Sequence, residues 1–560
     1  HRRQRQMCIR DRAIPDTFFF IDGNGGHFPS RLSKKTKVCV DGKRHSVRKQ
    51  FFMQGDRIFF LFVLRNRFSD FFYHTTMLSG VEYPTEKYDF QIREGTVFTI
   101  DTVKIHEAAL TILQKVGVVF HSEAAVDIFR RHGIKTDGNY VFIDPAEVQN
   151  ALARVPSEFV LYARNPDKDI ALGAGQAAFA PGYGAPHIMM ASGEKRNATL
   201  ADYHRFCRLI HTSEVINVSG FLIVDPEGRP RDTYHRDMLY STMTLCDQPL
   251  MGSPLSLSTM QDAVRMARIL FGYAADETQP MQTVMISNIN SLAPLRFSEE
   301  MADAMIVSAR NQQAVIIAGA GIMGATSPIL PAGHISVQNA CFLAGLVLTQ
   351  LVNPGAPVVY GGGGSQLDMR SGSYYCGSPE TLAAIRATAA MAKFYNLPVR
   401  SGGGLNDAHG LDFQAGAQSA MTLMCTLQAG IDFVLHACGI LASYMAMSYE
   451  KFIVDEELIL GIRKMAAPIA VNDDTIDLET IREVGACGEY LTHGRTLAFC
   501  RKAFMPTRVM NRLAFDPWQA QGAPDIYAQA GKVVEERLEI YRKPDLASGI
   551  EKDLRRFCSR

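Results

Sequence analysis

The chain is 560 residues long, 47% hydrophobic, with 11 cysteines and a formal net charge of +1. That length and apolar content support one large buried core, and the near-zero charge excludes a strong field for nucleic acid or an anionic membrane surface. The scattered cysteines, without CxxC pairs, read as reduced thiols of a cytoplasmic protein, not a disulfide framework.

In chain order, the first 76 residues stand apart. HRRQRQMCIRDR lacks the apolar continuation of a signal peptide. The later run FFMQGDRIFFLFVLRNRFSDFFYH is aromatic and basic, with no period of 2 or 3.6. Residues 1–76 are therefore expected to be a non-native or disordered extension, with Met77 as the natural start and a membrane-surface extension as the alternative. Residues 77–175 are expected to form an α+β lead-in, with helices over 105–116, 124–131 and 145–154 and a strand over 158–163.

From 176 to 465, strand-like runs begin near Gln176, Asn217, Pro249, Thr283, Ala314, Ala356, Leu397 and Asp432. Helical patterns alternate with them, and Thr199 with Asp202, and Ser258 with Gln261, are capping-box arrangements. Eight strands alternating with helices over about 280 residues is the count of an α/β fold of the (β/α)8 TIM barrel type. A doubly wound open sheet is the alternative. No run of 18 apolar residues predicts a membrane span, and the apolar stretch 342–352 reads as core. Residues 466–560 read as a helical region packed on the barrel.

In such barrels the chemistry sits where strands end, and two consecutive loops there are unusual. The first passes through four glycines, 361–364, and carries Asp368, Tyr374 and Tyr375 before Ser378-Pro379 opens a helix. The second carries Gly402, Gly403 and Gly404, then Asn406, Asp407, His409, Asp412 and Gln414. Glycine lets backbone approach a ligand closely. Aromatic faces attract quaternary ammonium ions at roughly 0.5–2 kcal/mol per contact. Tyr183, Phe413 and Tyr444 also fall near this face, although ordinary packing explains each ring equally well. His436, on an apolar strand, is a core histidine unless it faces the barrel axis. If a ligand carries a carboxylate, an arginine or backbone amides should meet it, and Arg370 and Arg400 are equal candidates.

Other chemistries fit poorly. Residues 319–324 match GxGxxG, but Pro328 and Pro331 forbid the helix that a dinucleotide site needs. No lysine or threonine accompanies the glycines 361–364 for phosphate. Asp407, His409 and Asp412 lack the spacing of a metal set, and no serine or cysteine lies in a nucleophile elbow.

Four pieces together resemble the trimethylamine methyltransferase family: PGAPVVYG, LDMRSGSYYCGSPE, the NDAH-to-QAG run at 406–416, and GEYLTHGRTL at 488–497. The likeness covers residues 95–522. It implies a TIM barrel that moves a methyl group from an amine to the cobalt of a separate corrinoid protein, with no tightly bound cofactor of its own. Archaeal trimethylamine enzymes of the family carry pyrrolysine in the region corresponding to 401–404, where this chain has Ser401-Gly402-Gly403-Gly404. The chain therefore resembles the non-pyrrolysine branch, whose members act on quaternary amines such as glycine betaine. It departs from the family again at His409, where a lysine is common. On this reading Asp368, Tyr374 and Tyr375 hold the ammonium end, with Gln414 and His436 beside them. Asn406, Asp407 and His409 shape the catalytic pocket, and Gly402, Gly403 and Gly404 leave it room. A corrinoid protein and a methylated amine are the implied partners, and homo-oligomers are compatible. A non-catalytic quaternary-amine binder, or a barrel lyase acting on a phosphorylated substrate, are the competing functions.

Overall fold

The computed structural model describes residues 99–559, apart from 229, 231 and 274–278, together with the backbone of 47–54 and 57–64. The two early segments pair as an antiparallel ribbon, Val47–Gln54 with Arg57–Leu64. Aromatic and β-branched residues favour strands even where they do not alternate. The expected start at Met77 lies outside the described residues.

A compact unit spans Phe98–Arg560. It opens with the helices Thr102–Lys115, Glu123–Arg131 and Pro145–Leu152. The strands Val118–Phe120, Lys135–Asp137 and Tyr140–Phe142 lie among them and pair with Arg296–Phe297 from the barrel. Phe120 stacks on Phe297 with ring centroids 5.0 Å apart, so lead-in and barrel share core.

Seven parallel strands follow one another around the main sheet: Leu250–Met251, Met285–Ser291, Ala314–Gly319, Val358–Gly361, Val399–Arg400, Phe433–Val434 and Ala178–Phe179. Residues 217–219 bridge the remaining gap. Val218 N–H donates to Phe179 O at 3.1 Å and Ser219 N–H to Pro249 O at 3.0 Å. The ring is thus a (β/α)8 barrel whose second strand is irregular. The Asn217 side chain explains the irregularity, because its Oδ1 accepts from Phe179 N at 2.6 Å in place of a ladder bond.

The predicted box at Thr199 and Asp202 forms. The next cap lies at Ser256 with Thr259, two residues before the predicted Ser258, because Ser256 is the residue with extended backbone ahead of Leu257.

The helix Pro331–Val352 decides which strand residues face inward. Ile317 packs on Gly345 and Tyr360 on Phe342, 4.3 Å between rings, so both point outward to this helix. Their neighbours Ala318 and Gly361 therefore face the axis. The register continues that row as Asn290, Ala318, Gly361, Arg400, Phe433 and Ala178. Arg400 is its one charged member. The helix Pro331–Val352 is long and apolar enough to cross a membrane, yet 83% of its most apolar window is buried inside the protein.

Towards the C-terminus, the helices Ile526–Ile540 and Ser548–Cys558 return to the barrel wall. Arg537 ion-pairs with buried Glu456, and its Nε donates to Thr212 Oγ1 at 3.1 Å. The Glu457 carboxylate gathers the amides of Arg508, Val509 and Met510 at 2.8–3.0 Å. Residues 467–507, which include GEYLTHGRTL, lie mostly exposed, with Arg495 ion-paired to Asp474 at 2.6 Å.

Candidate functional site

The first glycine loop leaves the strand Val358–Gly361 under tight constraint. A Cβ on Gly361 would stand 2.7 Å from Ile317 O, and one on Gly364 2.5 Å from Ala384 Cβ. Gly363 instead has nothing within 4 Å on that side. Its carbonyl is held from behind by Gln338 Nε2 at 2.6 Å and His334 Nε2 at 3.1 Å. Beyond it, Ser365–Leu367 pairs with Tyr374–Tyr375 in a small ribbon.

Asp368 sits at the tip of that ribbon. Its Oδ1 accepts from Arg370 N at 2.7 Å and Ser371 N at 3.3 Å, and these amides hold its pKa below the usual carboxylate value. Tyr374 reaches inward, with its hydroxyl 2.6 Å from Ser365 Oγ and its ring 6.2 Å from Tyr444. Tyr375 is half-buried.

In the second loop, Gly402 and Gly403 adopt φ of +67° and +126°. Cβ atoms there would stand 2.0 Å from Thr426 Oγ1 and 2.5 Å from Leu435 O, and one on Gly404 2.8 Å from Ala437 O. The room expected beside these glycines is occupied by the chain's own atoms. Their small size serves close backbone packing.

Asn406 and Asp407 act as ties. Buried Asn406 donates from Nδ2 to Ile440 O at 2.6 Å. Asp407 Oδ1 accepts from Cys376 N and Ser443 Oγ, both at 2.7 Å, and Oδ2 from Gly377 N at 2.8 Å and Gln418 Nε2 at 3.2 Å. One carboxylate thus joins three loops. Two backbone bonds complete the tie, Ser443 N–H to Asn406 O at 3.0 Å and Ala442 N–H to Ala408 O at 2.9 Å. Together they hold Ala442, Ser443 and Tyr444 at φ of +51°, +51° and +76°. Non-glycine residues in this region cost about 1–3 kcal/mol each and gather at functional sites. No glycine marks the run, so no sequence signal announces it.

The run carries the Tyr444 ring to 4.7 Å from His436, and Tyr183 stands edge-on to His436 at 6.4 Å. Tyr183, Tyr374, Tyr444 and His436 therefore form a continuous group of rings where the barrel strands end. Of the residues singled out in the sequence, Tyr183, Tyr374, Tyr444 and His436 belong to it, Asn406 and Asp407 tie its loops together, and Phe413 is exposed. Asp368 is engaged by its own turn. His409 and Gln414 are exposed, Gln414 bonding Gln418 at 3.2 Å, and Asp412 caps the helix Phe413–Gln428. Ser443 and Gln418 serve the tie without any motif to flag them.

The rings are neutral. Burial raises the Tyr183 and Tyr444 hydroxyls, and raises Tyr374 to about 12. Burial, then the charge of Arg400, lowers the His436 pKa well below its ordinary value. Arg400 Nε, His436 Nδ1, Asn288 Oδ1 and Ser401 Oγ are sealed from solvent without a hydrogen-bond partner. The neutral His436 makes a pH prediction. Below about pH 6.5 an unfolded histidine binds a proton that the folded one refuses, so stability falls as pH drops. His436→Gln should remove up to about 1.4 kcal/mol per pH unit of that acid-side loss. Denaturant titrations of both proteins from pH 7 down to 5 measure it, and parallel curves would refute it.

A profile of the family described as trimethylamine methyltransferase (MTTB) matches residues 86–560. The chain is similar to glycine betaine methyltransferase of Desulfitobacterium hafniense (strain Y51), with 39% identity over 83% of this chain and 96% of that protein. It is 32% identical to the proline betaine:corrinoid methyltransferase of Eubacterium limosum, over 82% of this chain and 96% of that one. Among solved structures, the monomethylamine methyltransferase of Methanosarcina barkeri aligns over 80% of this chain and 99% of its own, with 11% identity and a TM-score of 0.43. With the profile covering most of its length, the chain belongs to the trimethylamine methyltransferase family.

Proposed function

We propose that this protein is a corrinoid-dependent methyltransferase that moves a methyl group from a quaternary amine, of the glycine betaine class, to the Co(I) of a separate corrinoid protein. The observation that carries the reading is the group of neutral rings, Tyr183, Tyr374, Tyr444 and His436, at the mouth of the barrel. A quaternary nitrogen already bears the charge that makes the departing tertiary amine a competent leaving group. Such a reaction requires no proton transfer; it requires orientation and a water-poor cradle, which supply several kcal/mol. Aromatic faces suit an ammonium that has no N–H to donate.

Docked on this mouth, the partner's corrinoid would supply the nucleophile, Co(I). Gly363, open on one side and braced on the other by His334 and Gln338, gives the approach a low wall. The two relatives named for betaine substrates support the amine class. Ser401 through Gly404 contain only standard residues, in line with a substrate that arrives already quaternised.

The protein should be incubated with cob(I)alamin and glycine betaine, proline betaine, tetramethylammonium or trimethylamine, following the Co(I) absorption. Decay with a quaternary amine and none with trimethylamine is expected; decay with trimethylamine alone, or with no amine, would overturn the proposal. Tyr444→Ala should raise KM for the quaternary amine about 2- to 30-fold, the value of one cation–π contact. Tyr444→Phe keeps the ring face and should stay near wild type, so equal defects in the two variants would remove Tyr444 from the cradle.

A further inference from the structure

Arg400 carries a charge that the group of neutral rings does not use. It is the charged member of the inward row between Gly361 and Phe433, and the small residues Gly361 and Ala318 beside it leave its long side chain space on the axis side. Its Nε is sealed from solvent and makes no hydrogen bond, and among the described residues no ion pair reaches its guanidinium. The ionisable groups that act on it are the hydroxyls of Tyr444, Tyr374 and Tyr183, all neutral. Arg400 is half-buried, and a guanidinium cannot shed its proton at any ordinary pH, so even this partial burial without a counter-charge carries a cost. Interior arginines ordinarily meet a carboxylate or phosphate through their planar fork. Among the described residues no carboxylate pairs with Arg400.

A lone cation is also an obstacle to a cationic substrate. An ammonium group entering among Tyr183, Tyr374 and Tyr444 would be repelled by the Arg400 guanidinium, which lies within electrostatic reach of all three hydroxyls, unless it brought a negative charge with it. We propose that Arg400 is the receptor for a carboxylate on the substrate, and that the site thereby selects zwitterionic quaternary amines over simple cations. The carboxylate lies across the Arg400 fork while the quaternary nitrogen rests against the tyrosine faces. The other arginine considered from the sequence, Arg370, is exposed and sits 3.7 Å from Asp368 at the ribbon tip. It is already paired and outside the barrel.

This assignment rests on the quaternary-amine reading, and its test separates the two. Calorimetric titrations of the full-length protein with glycine betaine and with tetramethylammonium compare a zwitterion with a bare cation. Wild type should bind glycine betaine at least tenfold more tightly. Arg400→Gln should weaken betaine binding tenfold or more while leaving tetramethylammonium unchanged or tighter, since the repelling charge is gone. Arg400→Lys retains the charge without the fork and should fall between; thermal melts establish that each variant is folded, and the lysine variant keeps the comparison available should the glutamine variant fail to fold. Equal loss of both ligands, or unchanged betaine affinity in either variant, would overturn the role of Arg400. Methyl transfer to cob(I)alamin is scored separately. Arg400-dependent betaine binding with no transfer from any amine would refute the methyltransferase reading while leaving the carboxylate receptor standing.

Discussion

Asp407→Ala is expected to lose about 100-fold or more in kcat/KM for methyl transfer, the scale set by misplacing a binding group by about 1 Å. The carboxylate hydrogen-bonds to none of the four rings. Its oxygens accept from Cys376 N, Gly377 N, Ser443 Oγ and Gln418 Nε2, and so hold the glycine loop, the second loop and the strained 442–444 turn in one arrangement. Without it, only two backbone bonds, from Ser443 and Ala442, oppose the return of the left-handed turn to ordinary backbone, and Tyr444 is expected to move away from His436. The amides of Cys376 and Gly377 would lose their acceptor, which costs about 1–3 kcal/mol for each one that water cannot reach. Asp407→Asn keeps the shape but turns an NH2 towards N–H donors, so an intermediate loss is expected. Steady-state kinetics on both variants, with near-ultraviolet circular dichroism to follow the tyrosines, make the check; activity within twofold of wild type in the alanine variant would refute the tie.

Lys451→Met is expected to have the largest effect on stability. Lys451 and Asp455 lie on the helix Tyr449–Ala466 with side-chain exposures of 1% and 0%. The ammonium reaches both carboxylate oxygens at 2.5 and 2.7 Å and Ser419 Oγ at 2.7 Å, while Asp455 also accepts from Gly439 N at 2.9 Å. The pair underlies the second glycine loop, since Asp455 Oδ2 lies 3.2 Å from where a Cβ on Gly404 would stand. Removing the cation leaves a buried carboxylate uncompensated, at a cost of about 3–5 kcal/mol. The double variant Lys451→Met with Asp455→Leu should recover most of it, because apolar residues of similar size need no counter-charge. Burial raises the Asp455 pKa. A raised pKa in the folded state favours folding at low pH, so the single variant's deficit should shrink as pH falls and the carboxyl takes up a proton. Denaturant midpoints across pH measure each part. A single variant as stable as wild type would refute the account.

Barrel strands were legible because short β-branched runs, glycine-rich exits and helix caps recur in order, and Thr199, Ser378 and Asp412 cap helices as their neighbours demand. The strand at 217–219 was legible as a position but not in its irregular form, which a side-chain bond from Asn217 imposes. In the site, the two glycine loops stood out by composition alone. The direction of their side chains did not. Asp368 looked like a counter-ion and serves its own turn, and Gly402 looked like open space and faces Thr426.

By itself the sequence determined the alternating fold, the location of the polar loops and the family, because local propensity and motif order are written along the chain. Tertiary structure decided which groups meet. It brought Tyr183, Tyr374, Tyr444 and His436 together from four separate stretches, and set Arg400 on the inner wall with no ion pair among the described residues and its Nε unbonded. The reason is geometric: barrel closure and strand register set each side chain inward or outward, and that choice depends on residues 30 to several hundred positions away.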